Sequence, residues 1–204
     1  MANDSAPRRS AARTAERRRR ADAERSIAAI LDAALDAVSE RGDVNMSELA
    51  RAAGVGRVTL YTHFPGKEDL LDAVMTRAIE DANAVLAEAE PPGGLPARDA
   101  LAQVIRRAWP VLDRYRRLHT AAARVLGAER MRAHHDAPMR LVAGLIDRGR
   151  EEGGIRADLP RDWLITVVYS TLHAAALEVD AGRLTPAEAP EILVATLLPA
   201  LSPT

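Results

Sequence analysis

The apolar residues of this chain recur at three- and four-residue spacing, and every element they predict is a helix. Ile27, Ile30, Leu31, Ala34, Leu35 and Val38 form one continuous stripe, which predicts a first helix over about residues 22–40. Arg41-Gly42 ends it, with Gly42 as the C-cap. Asn45-Met46-Ser47-Glu48 has capping-box spacing, with Asn45 as N-cap and Glu48 reaching back, and opens a short Ala-rich helix that stops at Gly54. A second short helix follows Gly56, in which Leu60 and Phe64 lie four apart and share one face. Pro65-Gly66 ends that helix. Lys67 and Glu68 open a fourth, over about 67–88, whose buried side is Leu70, Leu71, Val74, Ala78, Val85 and Leu86.

Pro91-Pro92-Gly93-Gly94 is a turn in any reading. Beyond it, helices are expected from 97 to Trp109, where Pro110 kinks or stops the chain, then to His119, and from 120 to 133. Asp136 serves as N-cap for a helix over 138–152, closed by Gly153-Gly154. Pro160 opens a helix over 161–181. Thr185-Pro186-Ala187-Glu188 is a capping box with Pro at N1, opening a last helix over 186–201. The fold class is therefore all-α. Its expected parts are a disordered basic arm (1–21), a small helical domain (22–67) and a larger helical domain (68–204).

The segment Leu49–Leu71, LARAAGVGRVTLYTHFPGKEDLL, joins two short helices by a tight turn. Gly54 lets the chain leave the right-handed helical region without a Cβ penalty, and Val55 can bury between the helices. This is the layout of a helix-turn-helix, whose second helix fits the major groove of DNA. Arg57, at its start, can fork onto guanine O6 and N7. Tyr61 and Thr62 can reach base edges or phosphate, and Thr59, His63 and Lys67 are placed for phosphate. Tyr61 and His63 can alternatively pack locally and only orient the helix. Ser47 near the start of the preceding helix offers a further phosphate or base contact.

Over roughly residues 25–75 the chain resembles the DNA-binding domain of the tetracycline-repressor (TetR) family of bacterial transcription regulators. The resemblance rests on the apolar pattern of the first helix, LA-x-x-AGV, TLY-x-HF and K-E-x-L-L. Two positions depart from the usual pattern. Gly56 stands where serine is usual, which removes a cap or phosphate contact. Val58 stands where glycine or alanine is usual, and adds an apolar surface that can meet a thymine methyl.

The resemblance implies a ligand-responsive repressor, released from a palindromic operator when a small molecule enters a cavity among the middle helices and the fourth helix re-spaces two DNA-binding domains. It also implies a homodimer through the last two long helices, here 161–181 and 186–201. The residues alone point the same way. Trp163–Val179 is apolar on nearly every face, so it must be covered all round, and a second copy is the natural cover. Membrane insertion fits less well, because the stretch is short, carries His173 and Glu178 and lacks flanking anchors. Candidates for the cavity wall are Trp109, Tyr115, His119, Met131, Met139, Tyr169 and His173, each of which can equally be ordinary core. With aromatic residues at only 3%, a pocket of Ala, Leu and Val suits an aliphatic or amphipathic ligand better than a stacked planar one.

Charge sharpens the picture. The chain of 204 residues carries a net charge of −1, but residues 1–67 carry +3 and the remainder −4. One positive end suits phosphates. Arg8, Arg9, Arg13 and Arg17 to Arg20 make the arm a candidate for tracking phosphates or entering a minor groove, or else a solvated tail. Absence of cysteine excludes a disulfide framework, a thiol nucleophile and a Cys-based metal site. No apolar secretory segment is visible, so the cytoplasm is the expected compartment. There is no P-loop, GxSxG, HExxH or dinucleotide fingerprint, so no enzyme and no cofactor are expected. His134-His135-Asp136 is read as a helix-linking loop and not as a metal site, because adjacent histidines point apart. The alternatives are a ligand-independent regulator or activator and, from another class, a helical enzyme with an incidental helix-turn-helix.

Overall fold

The computed structural model describes residues 6–88 and 94–203. They form eight helices: α1 (Ala6–Arg41), α2 (Met46–Ala52), α3 (Arg57–His63), α4 (Lys67–Glu88), α5 (Ala97–His134), α6 (Asp136–Glu151), α7 (Arg161–Asp180) and α8 (Ala189–Leu201). No strand occurs among the described residues. The chain divides into two compact units, Met1–Val74 and Met75–Thr204, so the division falls inside α4 and not before it.

In the first unit the stripe of α1 behaves as its spacing predicts, with Ile30, Ala34 and Val38 fully buried. Asn45 caps α2, its side chain accepting from the backbone N–H of Ser47 at 2.9 Å and of Glu48 at 3.3 Å. Gly54 has φ +67°, and Val55 N–H reaches back to the Ala50 carbonyl at 3.0 Å, closing the turn. Leu60 and Phe64 are both buried, which fixes α3.

One expectation for this unit differs. Residues 6–21 continue α1, where a disordered arm is expected, and residues 1–5 lie outside the described residues. Ala, Arg and Glu are good helix formers, and Glu16 pairs with Arg20 one turn on. The side chains of Glu16 to Asp22 are exposed, so local propensity alone shapes this stretch.

In the second unit α5 packs against α6, α7 and α8, and α7 against α6 and α8. Leu101, Ile105, Trp109, Ile146, Val168, Leu193 and Leu197 belong to one core. The three helices expected over 97–133 are one element, and neither Pro110 nor His119 ends it. Proline costs about 3 kcal/mol in a helix interior, but Ile105, Trp109, Tyr115 and Leu118 are buried on both sides of it and hold the axis. The break falls at Gly127, with φ +77° and ψ +169°, a conformation only glycine adopts freely. Asp136 is the first residue of α6 and not its N-cap; His135 occupies the junction without a side-chain cap bond. The capping box at Thr185 forms, with Thr185 N–H donating to the Glu188 carboxylate and Glu188 N–H to Thr185 Oγ1, each at 3.3 Å, although α8 itself starts at Ala189. No helix among the described residues is long and apolar enough to cross a membrane.

Candidate functional site

The first candidate is the outer face of α3. At about 100° per residue, Arg57, Val58, Tyr61 and Thr62 fall within one arc of about 140°. All four are exposed, and Val58, in mid-arc, is 82% accessible. Leu60 lies outside that arc and is buried, and Phe64, the C-cap that follows the helix, is buried as well. Gly56 is the N-cap and supplies no side-chain bond. Thr62 Oγ1 donates to the Val58 carbonyl at 2.7 Å, which leaves its lone pairs outward. Thr59 and His63 are half-buried, and the His63 ring lies 6.5 Å from that of Phe64. His63 therefore meets the local packing alternative as well as the surface. Lys67 is ion-paired with Asp43.

Ser47 and Arg57 line a shallow groove between α2 and α3, together with Arg51. Arg51 is exposed and is absent from the sequence-predicted set. Its position one turn after Ser47 on the same helix is the signal that could have found it.

The second candidate is a cavity of about 380 Å³ in the second unit. Its wall is mostly apolar: Met75, Ala78, Ile79, Ala82 and Leu86 from α4, Ala108, Val111 and Leu112 from α5, Pro138 and Met139 from α6, and Leu172, Ala176 and Leu177 from α7. Of the seven predicted wall residues, Tyr115, His119, Met139 and His173 line it. Trp109 does not. It is buried in the core, its indole N–H donating to the Pro186 carbonyl at 2.8 Å. Met131 is likewise buried and outside the wall, and Tyr169 stands behind the histidines, its ring 4.2 Å from His173.

The polar part of the wall is small. Tyr115 donates its hydroxyl to Asp81 at 2.6 Å, and burial with that bond pushes its pKa up. Arg116 is held by Asp113 at 2.8 Å and Asp180 at 2.7 Å. His119 and His173 are joined by His135, which the sequence reading assigns to a plain loop. The ring centroids lie 4.0 Å apart for His119 and His173, 5.0 Å for His135 and His173, and 5.3 Å for His119 and His135. Burial pulls His119 down to about 3, and His173 and His135 pull the same way. Burial likewise lowers His173, to about 4, and lowers His135. All three imidazoles are therefore neutral near pH 7.

The comparisons with known proteins agree with this layout. Residues 30–74 match the model of "Bacterial regulatory proteins, tetR family". The HTH-type transcriptional repressor LfrR of Mycolicibacterium smegmatis is 26% identical over 151 residues, which cover 74% of this chain and 77% of that protein. The HTH-type transcriptional regulator SrpR of Pseudomonas putida is 41% identical over 61 residues, covering 29% of each. Among solved structures, LfrR in complex with proflavine superposes with a TM-score of 0.65 at 23% identity, over 85% of this chain and 94% of that one. FadR from Bacillus subtilis in complex with stearoyl-CoA gives a TM-score of 0.70 at 18% identity, over 83% and 96%. The match to the tetR family of bacterial regulatory proteins thus falls on the N-terminal helix-turn-helix of this chain, α2 and α3 with the flanking parts of α1 and α4.

Proposed function

We propose that this protein is a cytoplasmic homodimeric repressor that binds a palindromic operator and is released from it by a small molecule. The observation that carries the reading is the α3 face. A seven-residue helix, anchored by two buried side chains, exposes an arginine, a valine, a tyrosine and a threonine together. Arg57 reads guanine in the major groove, Val58 meets a thymine methyl, and Tyr61 and Thr62 reach base edges or phosphate. Ser47 and Arg51 add backbone contacts from α2, and Thr59 and His63 from the flank of α3. Lys67 reaches phosphate by giving up Asp43, an exposed pair worth at most about 1 kcal/mol.

The cavity is the effector site in this reading. Its predominantly aliphatic wall suits a ligand with an apolar body. Among related folds, LfrR has been crystallised with proflavine and FadR with stearoyl-CoA, and the second carries the long apolar chain that an aliphatic wall suits. Helix α4 supplies Leu70, Leu71 and Val74 to the first unit's buried residues and Met75, Ala78 and Leu86 to the cavity wall. It is therefore the element through which occupancy biases DNA binding, with a coupling of about 1–3 kcal/mol.

The test is binding of the purified full chain to DNA from upstream of its own gene, titrated with salt. Tight, sequence-specific binding with a steep salt slope is expected. Arg57→Ala should cost about 1–3 kcal/mol and relax preference at one base position of each half-site. Equal, weak binding to every sequence, unchanged in Arg57→Ala, would sink the reading.

A further inference from the structure

We infer that His119, His135 and His173 form a three-imidazole site for a divalent transition metal, zinc foremost, in the wall of the cavity. The three come from three different places in the fold: α5, the α5–α6 junction and α7. Each offers one ring nitrogen, and these atoms all lie within 4.8 Å of one another. Tetrahedral zinc, with Zn–N near 2.0–2.1 Å, sets its nitrogens about 3.3 Å apart. Small side-chain rotations cover that difference.

The hydrogen bonds prepare the lone pairs. His135 Nδ1 lies 2.7 Å from the Met131 carbonyl, and His173 Nδ1 lies 2.9 Å from the Tyr169 carbonyl. A carbonyl only accepts, so each Nδ1 carries the proton and each Nε2 carries the lone pair. This is the outer-shell arrangement that orients metal-binding histidines. On the other side, Nε2 of both His119 and His173 is buried with no hydrogen-bond partner. Leaving two polar atoms so is costly unless something accepts their lone pairs. A purely structural histidine cluster would pair them with donors.

The donor set selects the metal class. Three neutral nitrogens, with no thiolate in the chain and no carboxylate in the group, suit zinc, copper(II), nickel or cobalt and not magnesium or calcium. Arg116 and Arg124 also line the cavity, and Arg116 is neutralised by Asp113 and Asp180. Three imidazoles leave one tetrahedral position, which faces the same cavity and would take an anionic or electron-donating group of a ligand. That last step rests on the cavity being the effector site; metal binding does not.

The test uses the full-length protein, stripped with a chelator and titrated with zinc alone, without DNA or effector. One zinc per chain is expected, with a rise in thermal midpoint as it binds. Cobalt(II) in its place should give the intense visible absorption of a four- or five-coordinate nitrogen site. His119→Gln and His173→Gln should each weaken zinc binding by more than the roughly 10–100-fold that loss of an outer-shell partner costs. His134→Ala, which alters a neighbouring histidine outside the group, should leave it unchanged. Circular dichroism checks that the variants fold; if one does not, the cobalt spectrum and the midpoint shift of the unaltered chain decide. Absence of zinc binding, an octahedral cobalt spectrum, or equal binding by the two glutamine variants would overturn the site. These outcomes leave the operator assay untouched, so the two readings fail separately.

Discussion

Gly149 lies buried in α6, and its carbonyl accepts from the N–H groups of both Gly154 and Ile155 at 2.9 Å. The chain turning out of α6 thereby folds Ile155 onto it. A Cβ at 149 would stand 2.5 Å from Ile155 Cδ1, 2.7 Å from Cγ1 and 3.2 Å from Cβ. Alanine gains about 1 kcal/mol over glycine in a helix interior, whereas overpacking costs about 1–3 kcal/mol. More than the tip of Ile155 must move, so the clash wins. Gly149→Ala is expected to lower the denaturation midpoint, and Ile155→Val, which removes Cδ1, to restore part of it in the double variant. Urea melts of the four proteins make the cycle. At this scale local chemistry was legible: the Asn45 cap, the Thr185 box and the Gly54 turn involve residues within a few positions of one another. The histidine cluster was not, because His119, His135 and His173 meet only after α5, α6 and α7 pack. His135 stands beside His134 in sequence, but its ring partners, His119 and His173, lie 16 and 38 residues away. His119 and His173 are both expected on the cavity wall, and four of the five histidines follow residue 118 in a chain without cysteine, but neither fact brings in His135.

Along α1 two kinds of helix follow one another. From Ile30 onward the helix buries Ile30, Ala34, Ala37 and Val38 and is held by packing. From Glu16 to Asp22 every side chain is exposed, Arg17 to Arg20 among them. Periodicity separates the two because only the second half carries a stripe; it cannot say whether the first half coils or winds, since nothing tertiary decides it. Removing residues 1–21 is therefore expected to change stability by no more than about 0.5 kcal/mol, as for other surface changes. If the arginines meet phosphate, the same deletion weakens operator binding and flattens its salt dependence by about 0.9 in slope per lost contact. Thermal melts and a salt titration read the two effects independently, and an unchanged slope would assign the arm to solvation alone. In α5 packing overrides the local signal. Pro110 is a strong local breaker, but Trp109 and Tyr115 are gripped on either side of it, and the chain bends instead at Gly127, which has no Cβ to oppose a positive φ.

At the scale of the whole molecule, α7 and α8 leave unfinished business. One side of α7 buries Leu164, Val168, Leu172 and Ala176 in the core. The other side turns Trp163, 54% accessible, and Leu177, 53%, outward with Thr166, Ser170 and Ala174 between them. On α8, Ile192 is 46% accessible beside Ala195 and Thr196. Small residues between large apolar ones let two helices approach closely, and no helix among the described residues is long and apolar enough to cross a membrane. The face is thus suited to a second copy of the chain, the contact that the proposed homodimer requires. Ile192→Glu places a carboxylate on that face without touching the core. It is expected to leave the circular dichroism spectrum intact and to shift the protein from dimer to monomer in sedimentation. Operator affinity should then fall by about 10²–10⁴, because the second half-site no longer benefits from effective concentration, while affinity for a single half-site stays the same. A variant that remains dimeric and binds the operator normally would move the subunit contact elsewhere on the molecule, away from α7 and α8.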